Sequence, residues 1–363
     1  MILPNKIFSG AYREGHVQGI AIDVLRGYVY YSFTTMLLKT DLSGNPVGSV
    51  VHLAGHLGCI TYDVERNRLY ASLEMKHDAI GAGIIKRTGW NPTEEDAFYL
   101  VSFDCDSITH MNMDAECEDV MRAVYLADVA RDYCSLDTHS QRPHRYGCSG
   151  IDGVGIGPVY GSLPNSPKKI MVAYGIYSEL DREDNDYQVI LQYDPDVIDA
   201  YGARLCQATP HHSGPDTCEA RYFFYTGNTV YGVQNLEYDP YSHTWFLAVY
   251  TGKKPQFEPF RLFFIDGGVA PADARLIGRG EERSRVLQTA ALGRAGKQAC
   301  IRGCDFPYGQ TGIASLGNGI FCFSQDGGNK EDKSFWTTVV QYRIDPDREE
   351  LFVKLSVDQA LSF

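Results

Sequence analysis

What this chain lacks narrows its class before any motif is read. In its 363 residues no stretch approaches the roughly 20 consecutive apolar residues that a membrane-spanning helix needs. The opening residues Met1-Ile2-Leu3-Pro4-Asn5-Lys6 carry no basic segment followed by an apolar one. That points to a cytoplasmic protein, with a secreted protein whose signal has been removed as the alternative. Basic charge is short as well: 33 Lys and Arg against 46 Asp and Glu leave a formal −13 at pH 7. A surface of that sign repels phosphate backbones and anionic lipid, which argues against nucleic acid and membrane as partners.

Cysteine is too sparse for a disulfide scaffold, at ten residues with no CxxC pair. Cys59 and Cys322 fall in apolar runs, where cysteine acts as a small hydrophobe. Cys300 with Cys304, and Cys134 with His144 and Cys148, are minor zinc candidates. If the protein is exported, Cys206–Cys218 would make a loop-closing disulfide. No GxSxG, HExxH or P-loop motif is present. Gly153-Val154-Gly155-Ile156-Gly157 has the look of a nucleotide loop, but it lies on an expected strand with no helix after it. Tryptophan is scarce, at three, whereas Tyr (24), Phe (17) and Gly (36) are plentiful. Aromatic strands broken by glycine turns suit an antiparallel, all-β protein.

What is present is a repeat. A turn-like stretch followed by an apolar strand occurs at His16–Asp23 and again at His56–Asp63. Further copies run from Ser149 to Ile156, Gly232 to Asp239 and Gly309 to Ala314. Each copy opens a unit of four short strands separated by turn residues; in the first, these follow at Gly27–Phe33, Met36–Asp41 and Val47–Leu53. The marker residues Gly19, Gly58, Gly153, Asn235 and Gly312 are spaced by 39, 95, 82 and 77 residues. A bare four-stranded blade takes about 40 residues, so the later units carry insertions. Asp119 to Val129 reads equally as an outer strand or an amphipathic helix.

This pattern predicts a single β-propeller over residues 1–363, of five blades, with six as the alternative. Loops are inserted near 75–97, 128–148, 206–230 and 279–305. A closed ring removes most exposed strand edges. Lys6 to Tyr12 precedes the first inner strand much as Val47 to Leu53 precedes the second. It is therefore expected to close the ring on the last blade, beside or in place of Leu351 to Leu355.

The pattern resembles propellers of the lactonase, gluconolactonase and NHL-repeat type. The resemblance rests on Gly19-Ile20-Ala21-Ile22-Asp23 with Arg26-Gly27-Tyr28-Val29-Tyr30, and on Tyr62-Asp63-Val64-Glu65-Arg66-Asn67-Arg68-Leu69-Tyr70. It covers most of the chain as architecture and implies a fold rather than an activity.

The residues just before or at the start of the inner strands crowd one mouth of a propeller channel, and here they are polar in every unit. His16, His56 and Asp152 are the expected anchors of a divalent metal ion in the central channel and the candidate catalytic residues, because metal-bound water can attack an ester or lactone. Gln18, Gln234, Asn235, Gln310 and Thr311 are expected to orient a ligand. The resemblance implies a cation held by carboxylates and amides. His16, His56 and Gln310 depart from that pattern and make calcium a poor fit.

Glu74, Glu179, Asp305 and Asp326 are further acids near this mouth, and Asp152 with Glu74 or Asp326 is the pair to consider for glycoside chemistry. Tyr174, Tyr231, Tyr250, Tyr308 and Trp245 suit either sugar rings or blade packing. His211-His212 reads as a solvent-exposed loop pair. The functional expectation is a small carbohydrate- or lactone-like ligand bound at the polar mouth, and hydrolysed if the protein is an enzyme. The alternative is a non-catalytic interaction propeller whose loops bind a protein partner.

Overall fold

A computed structural model of the protein describes every residue except 1, 91–94, 349, 357–360 and 363. Five small sheets stand in a ring, each with its first strand innermost, which makes a five-bladed β-propeller. The inner strands are Val17–Asp23, His56–Asp63, Cys148–Pro158, Thr229–Asp239 and Ile313–Gly317. Each runs from the polar mouth to the opposite one, so the antiparallel second strand of each blade returns to the polar mouth.

Among the described residues the long spacings hold insertions and no sixth blade. Between Gly58 and Gly153 lie a helix Ala79–Thr88 and an arm that lays Met113–Asp114 parallel to the outer strand of blade 1. The ambiguous stretch resolves into both alternatives, a strand Met121–Tyr125 followed by a helix Ala127–Cys134. Between Gly267 and Ile301, a hairpin of Ala272–Arg275 and Arg283–Val286 leaves blade 4 and extends the outer edge of blade 3. The insertions are therefore staples between blades.

Five apolar clusters hold the ring, one at each junction between neighbouring blades. Tyr30 and Leu37 of blade 1 pack with Leu73 and Phe103 of blade 2. Phe246 and Phe264 of blade 4 pack with Phe321 and Phe323 of blade 5. Ring closure follows the expected route. Lys6–Phe8 pairs with residues 338–340 of the third strand of blade 5, while Phe352–Lys354 pairs with residues 342–344 of the same strand. The two chain ends lie side by side on one edge.

The recurring glycine has a steric cause. A Cβ on Gly19 would sit 2.9 Å from the backbone nitrogen of Ile60 on the next inner strand. One on Gly153 would sit 3.0 Å from the Val233 carbonyl, and one on Gly312 would sit 3.1 Å from Ile20. Inner strands converge on the axis and leave no room for a side chain there. This also accounts for the glycine run at 153–157: a Cβ on Gly155 would lie 2.3 Å from the Leu236 carbonyl. No helix among the described residues is long and apolar enough to cross a membrane.

Candidate functional site

At the polar mouth of the channel, blades 1 to 4 bring their first residues together. His56 begins its inner strand, and its partner in register on the second strand is Glu74. Asp152 comes from the adjoining blade. Gly58 lies beside it, and a Cβ there would fall 2.3 Å from Ser72 Oγ and 3.2 Å from the Asp152 carbonyl. Gly150, at φ +116°, gives Glu74 its space, since a Cβ would fall 2.1 Å from Oε2. All three side chains are buried.

His56 Nδ1 lies 3.6 Å from Glu74 Oε1 and 3.6 Å from Asp152 Oδ1. The Nδ1 and Oδ1 atoms are buried without a hydrogen-bond partner among the described residues. One ligand atom from each of the three residues falls within 4.8 Å of the other two, the only such metal-binding group among the described residues.

Every other polar atom of the trio is held. Glu74 Oε2 accepts the Ile151 N–H at 3.1 Å, and Lys76 places its ammonium 2.6 Å from Oε1. That ammonium is buried too, and it also donates to the Ser149 carbonyl at 2.6 Å. Burial works against its charge, but Glu74, Asp78 and Asp152 outweigh burial and raise the Lys76 pKa. Asp152 Oδ2 accepts from Gln234 Nε2 at 3.2 Å, and Gln234 is itself tied to the Tyr231 carbonyl at 3.0 Å. Burial first, and then the Glu74 charge, push the Asp152 carboxyl up to about 7.

Gln18 joins the two histidines. Its Nε2 lies 2.7 Å from His16 Nε2 and 2.8 Å from His56 Nε2. One amide therefore faces both rings and sets a single tautomer for both: an amide nitrogen donating to each Nε2 leaves the proton on each Nδ1. His16 reaches solvent at the rim. The protein crowded around it, with His56 and Arg87 nearby, lowers its pKa to about 4.

His16, expected as a metal ligand, thus meets Gln18 instead, and Glu74 stands in the ligand group with His56 and Asp152. Gln18 and Gln234 each bond one member of the trio. Asn235, at the place where four other blades carry glycine, is fully buried with both amide atoms unpartnered among the described residues. Thr311 bonds Ser324 at 2.9 Å and Asp326 at 3.0 Å, on the blade 5 side of the mouth. Gln310 is half-buried in the preceding turn.

Of the other acids, Glu179 pairs with Arg182 at 3.4 Å and Asp305 with Arg261, each apart from the trio. Tyr250 lies near Asp152 and Asp326, which, after burial, raise its pKa. Tyr174 is buried and donates to Asp132 at 2.8 Å, while Trp245 is core. Tyr231 and Tyr308 are exposed.

All ten cysteines are free, Cys206 and Cys218 included. Cys134, His144 and Cys148 do not form a metal group, for the His144 Nδ1 is bonded to the Tyr133 carbonyl at 2.7 Å. His211 and His212 pack on Tyr99 and Tyr125 at the outside of blade 2.

Lys76 was absent from the sequence reading. Its signal was present in Glu74-Met75-Lys76, since side chains two apart on a strand point the same way.

No protein family matches the sequence, and no curated protein does. Among solved structures the chain is similar to one described as "Crystal Structure of Mitotic Checkpoint Complex", at 10% identity and a TM-score of 0.30, over 90% of this chain and 60% of that one. The chain thus spans about 60% of the length of that neighbour. At that score the likeness carries no functional argument.

Proposed function

We propose that the polar mouth is a small-ligand site built around one divalent cation, and that the protein hydrolyses a lactone- or ester-like ligand there. The observation that carries this reading is the pair of buried, unpartnered atoms, His56 Nδ1 and Asp152 Oδ1, each turned toward the same gap with Glu74 Oε1 beside them. An imidazole nitrogen with two carboxylates is a fitting donor set for zinc, manganese or iron. When bound, such an ion supplies a water of lowered pKa.

The chain's own residues orient the set. Gln18 holds the His56 ring, Gln234 holds Asp152, and Lys76 with the Ile151 N–H holds Glu74. This outer layer resembles the support that metal ligands usually have. Lys76 also offsets one of the two negative charges, which favours a moderate rather than a very tight site.

One observation favours a second reading that uses the same residues. Asp152 is pushed up to about 7, so it can act as an acid near neutrality, beside a Glu74 carboxyl that Lys76 holds at 2.6 Å. The two carboxyls, with ligand atoms within 4.8 Å of one another, approach the separation of about 5 Å used by retaining glycosidases.

Elemental analysis of untagged protein separates the two. About one equivalent of zinc, manganese or iron, lost in His56→Ala and in Asp152→Ala, is the expected result. It would justify a screen of lactones and esters. A protein that stays metal-free after incubation with divalent ions would overturn the metal reading and direct the screen to glycosides. If neither class binds, and the substitutions change stability alone by about 1–3 kcal/mol, the mouth is a structural network and the protein an interaction scaffold.

A further inference from the structure

The opposite mouth of the channel holds a cavity of about 610 Å³. Its walls are mixed, apolar Ile20, Ile22, Ile156 and Leu316 standing beside polar Asn165 and Ser166, and Glu237 lines it. Glu237 occupies the place that Ala21, Thr61, Gly155 and Ala314 take in the other inner strands: Ala21 faces Tyr30 across its hairpin as Glu237 faces Phe246. A carboxyl at a position otherwise given to small, uncharged residues calls for a cause.

The charges around the cavity are accounted for except this one. Asp23 is held by Arg26 at 3.2 Å and by the Tyr62 hydroxyl at 2.9 Å. Glu65 is paired with Lys168 at 2.9 Å, which lowers the Glu65 pKa. Asp239 accepts from Ser315 Oγ at 2.7 Å and from Ser242. Glu237 accepts a single hydrogen bond, from the Ser315 N–H at 2.7 Å, and has no cation partner among the described residues. The remaining charge beside it, on Asp239, is also negative. An anion is repelled at such a floor, and a hard metal ion would need several more oxygens. An ammonium group gains both the charge and the hydrogen bond, and its apolar body gains the apolar part of the walls.

We propose that this cavity is a second ligand site, distinct from the His56 mouth, that binds an organic cation: a primary ammonium group on a short apolar body, seated on Glu237.

The site is coupled to pH with a definite sign. Burial, and after it the Asp239 charge, push Glu237 up to about 8. Burial pushes the Cys59 thiol and Tyr238 up to about 12 and raises Tyr62 further, so these three stay neutral in that range. The imidazole of His243 stands behind Tyr238, bonded to its hydroxyl at 2.7 Å and to the Ser162 carbonyl at 2.9 Å. Below pH 8 the ligand must displace a proton from Glu237, so binding strengthens as pH rises and levels off above 8.

The test uses n-butylammonium chloride as the probe, titrated by calorimetry at pH 6, 7, 8 and 9, with n-butanol as the uncharged control. Affinity for n-butylammonium is expected to rise about tenfold from pH 6 to 7, keep rising to 8, and change little beyond. Glu237→Gln is expected to lose at least tenfold at pH 8 while leaving n-butanol binding unchanged. Should the Gln variant not fold, the carboxyl carbon of Glu237 in the unaltered protein, followed by NMR, is expected to titrate at lower pH when the probe is present. Absence of saturable n-butylammonium binding at pH 9, binding that survives Glu237→Gln, or a Glu237 titration that the probe does not move would each overturn the proposal.

Discussion

Gln18 couples two histidines that never exchange a hydrogen bond. Its amide nitrogen faces both Nε2 atoms, so the protons sit on Nδ1 of each ring. A cation on His56 Nδ1 requires that proton to leave and Nε2 to carry one. The amide must then turn its oxygen to the rings, and His16 has to change tautomer as well, although it touches no metal. Nitrogen NMR of the two rings during zinc titration is expected to show both tautomers switching together, with only His56 switching in Gln18→Leu. Independent behaviour in the unaltered protein would break the coupling. At this scale the sequence was partly legible. The polar repeat position named His56 and Asp152, because the inner strand begins there in each blade. His16 stands outside the group of His56, Glu74 and Asp152 and faces Gln18, and Glu74 had only a supporting part in the sequence pattern. The pairing of Glu74 with His56 depends on a register shift between Leu57 and Ile60, which no local pattern announces.

Among the elements, the inner strands are the most constrained, and they explain why the fold could be read at all. Four of five carry glycine where each leans on its neighbour, and that requirement surfaces as a sequence period. Adding a methyl group at Gly153 meets the Val233 side chain at 2.8 Å and its carbonyl at 3.0 Å. Gly153→Ala is therefore expected to cost about 2–3 kcal/mol, as overpacking of a rigid contact does. Asn235 is the exception to the rule and gives the contrast. Its amide is buried with both ends unpartnered among the described residues, a condition that itself costs about 1–3 kcal/mol. Asn235→Ala removes that penalty and leaves a small void, so its stability should fall within about 1 kcal/mol of the unaltered protein. Urea unfolding of the two variants checks the pair. A loss at Asn235 as large as at Gly153 would mean that the amide is satisfied by bound water. The insertions were less legible than the blades. The hairpin Ala272–Arg275 with Arg283–Val286 serves a blade other than the one it leaves, and its short, exposed strands carry no apolar alternation.

For the whole molecule, the consequential feature is where the ring is sealed. Blades 1 to 4 take their first three strands from contiguous chain, and blades 1 and 3 gain further outer strands from insertions in the blade that follows. Blade 5 alone takes an outer strand from the far end of the chain. Ile7 is buried in the junction between blades 5 and 1. The Ser9 N–H donates to the Thr337 carbonyl at 3.0 Å, Ser9 Oγ accepts the Thr337 N–H at 2.9 Å, and Gln341 donates to the Leu3 and Pro4 carbonyls at 3.1 and 2.8 Å. Burying Leu3 and Ile7 contributes about 1.5–3 kcal/mol each, and their removal also uncovers half of a strand edge, an invitation to pairing between molecules. Deleting residues 1–12 is thus expected to lower Tm by about 5–10 °C and to produce oligomers by gel filtration. A synthetic peptide of residues 1–12 should restore both properties when added in excess, because Phe352–Lys354 occupies only the other half of that edge and leaves the first half free to accept it. Rescue by the peptide would show that closure acts through this strand. A truncated protein that stays monomeric with an unchanged Tm would place the seal in the blade-to-blade clusters instead.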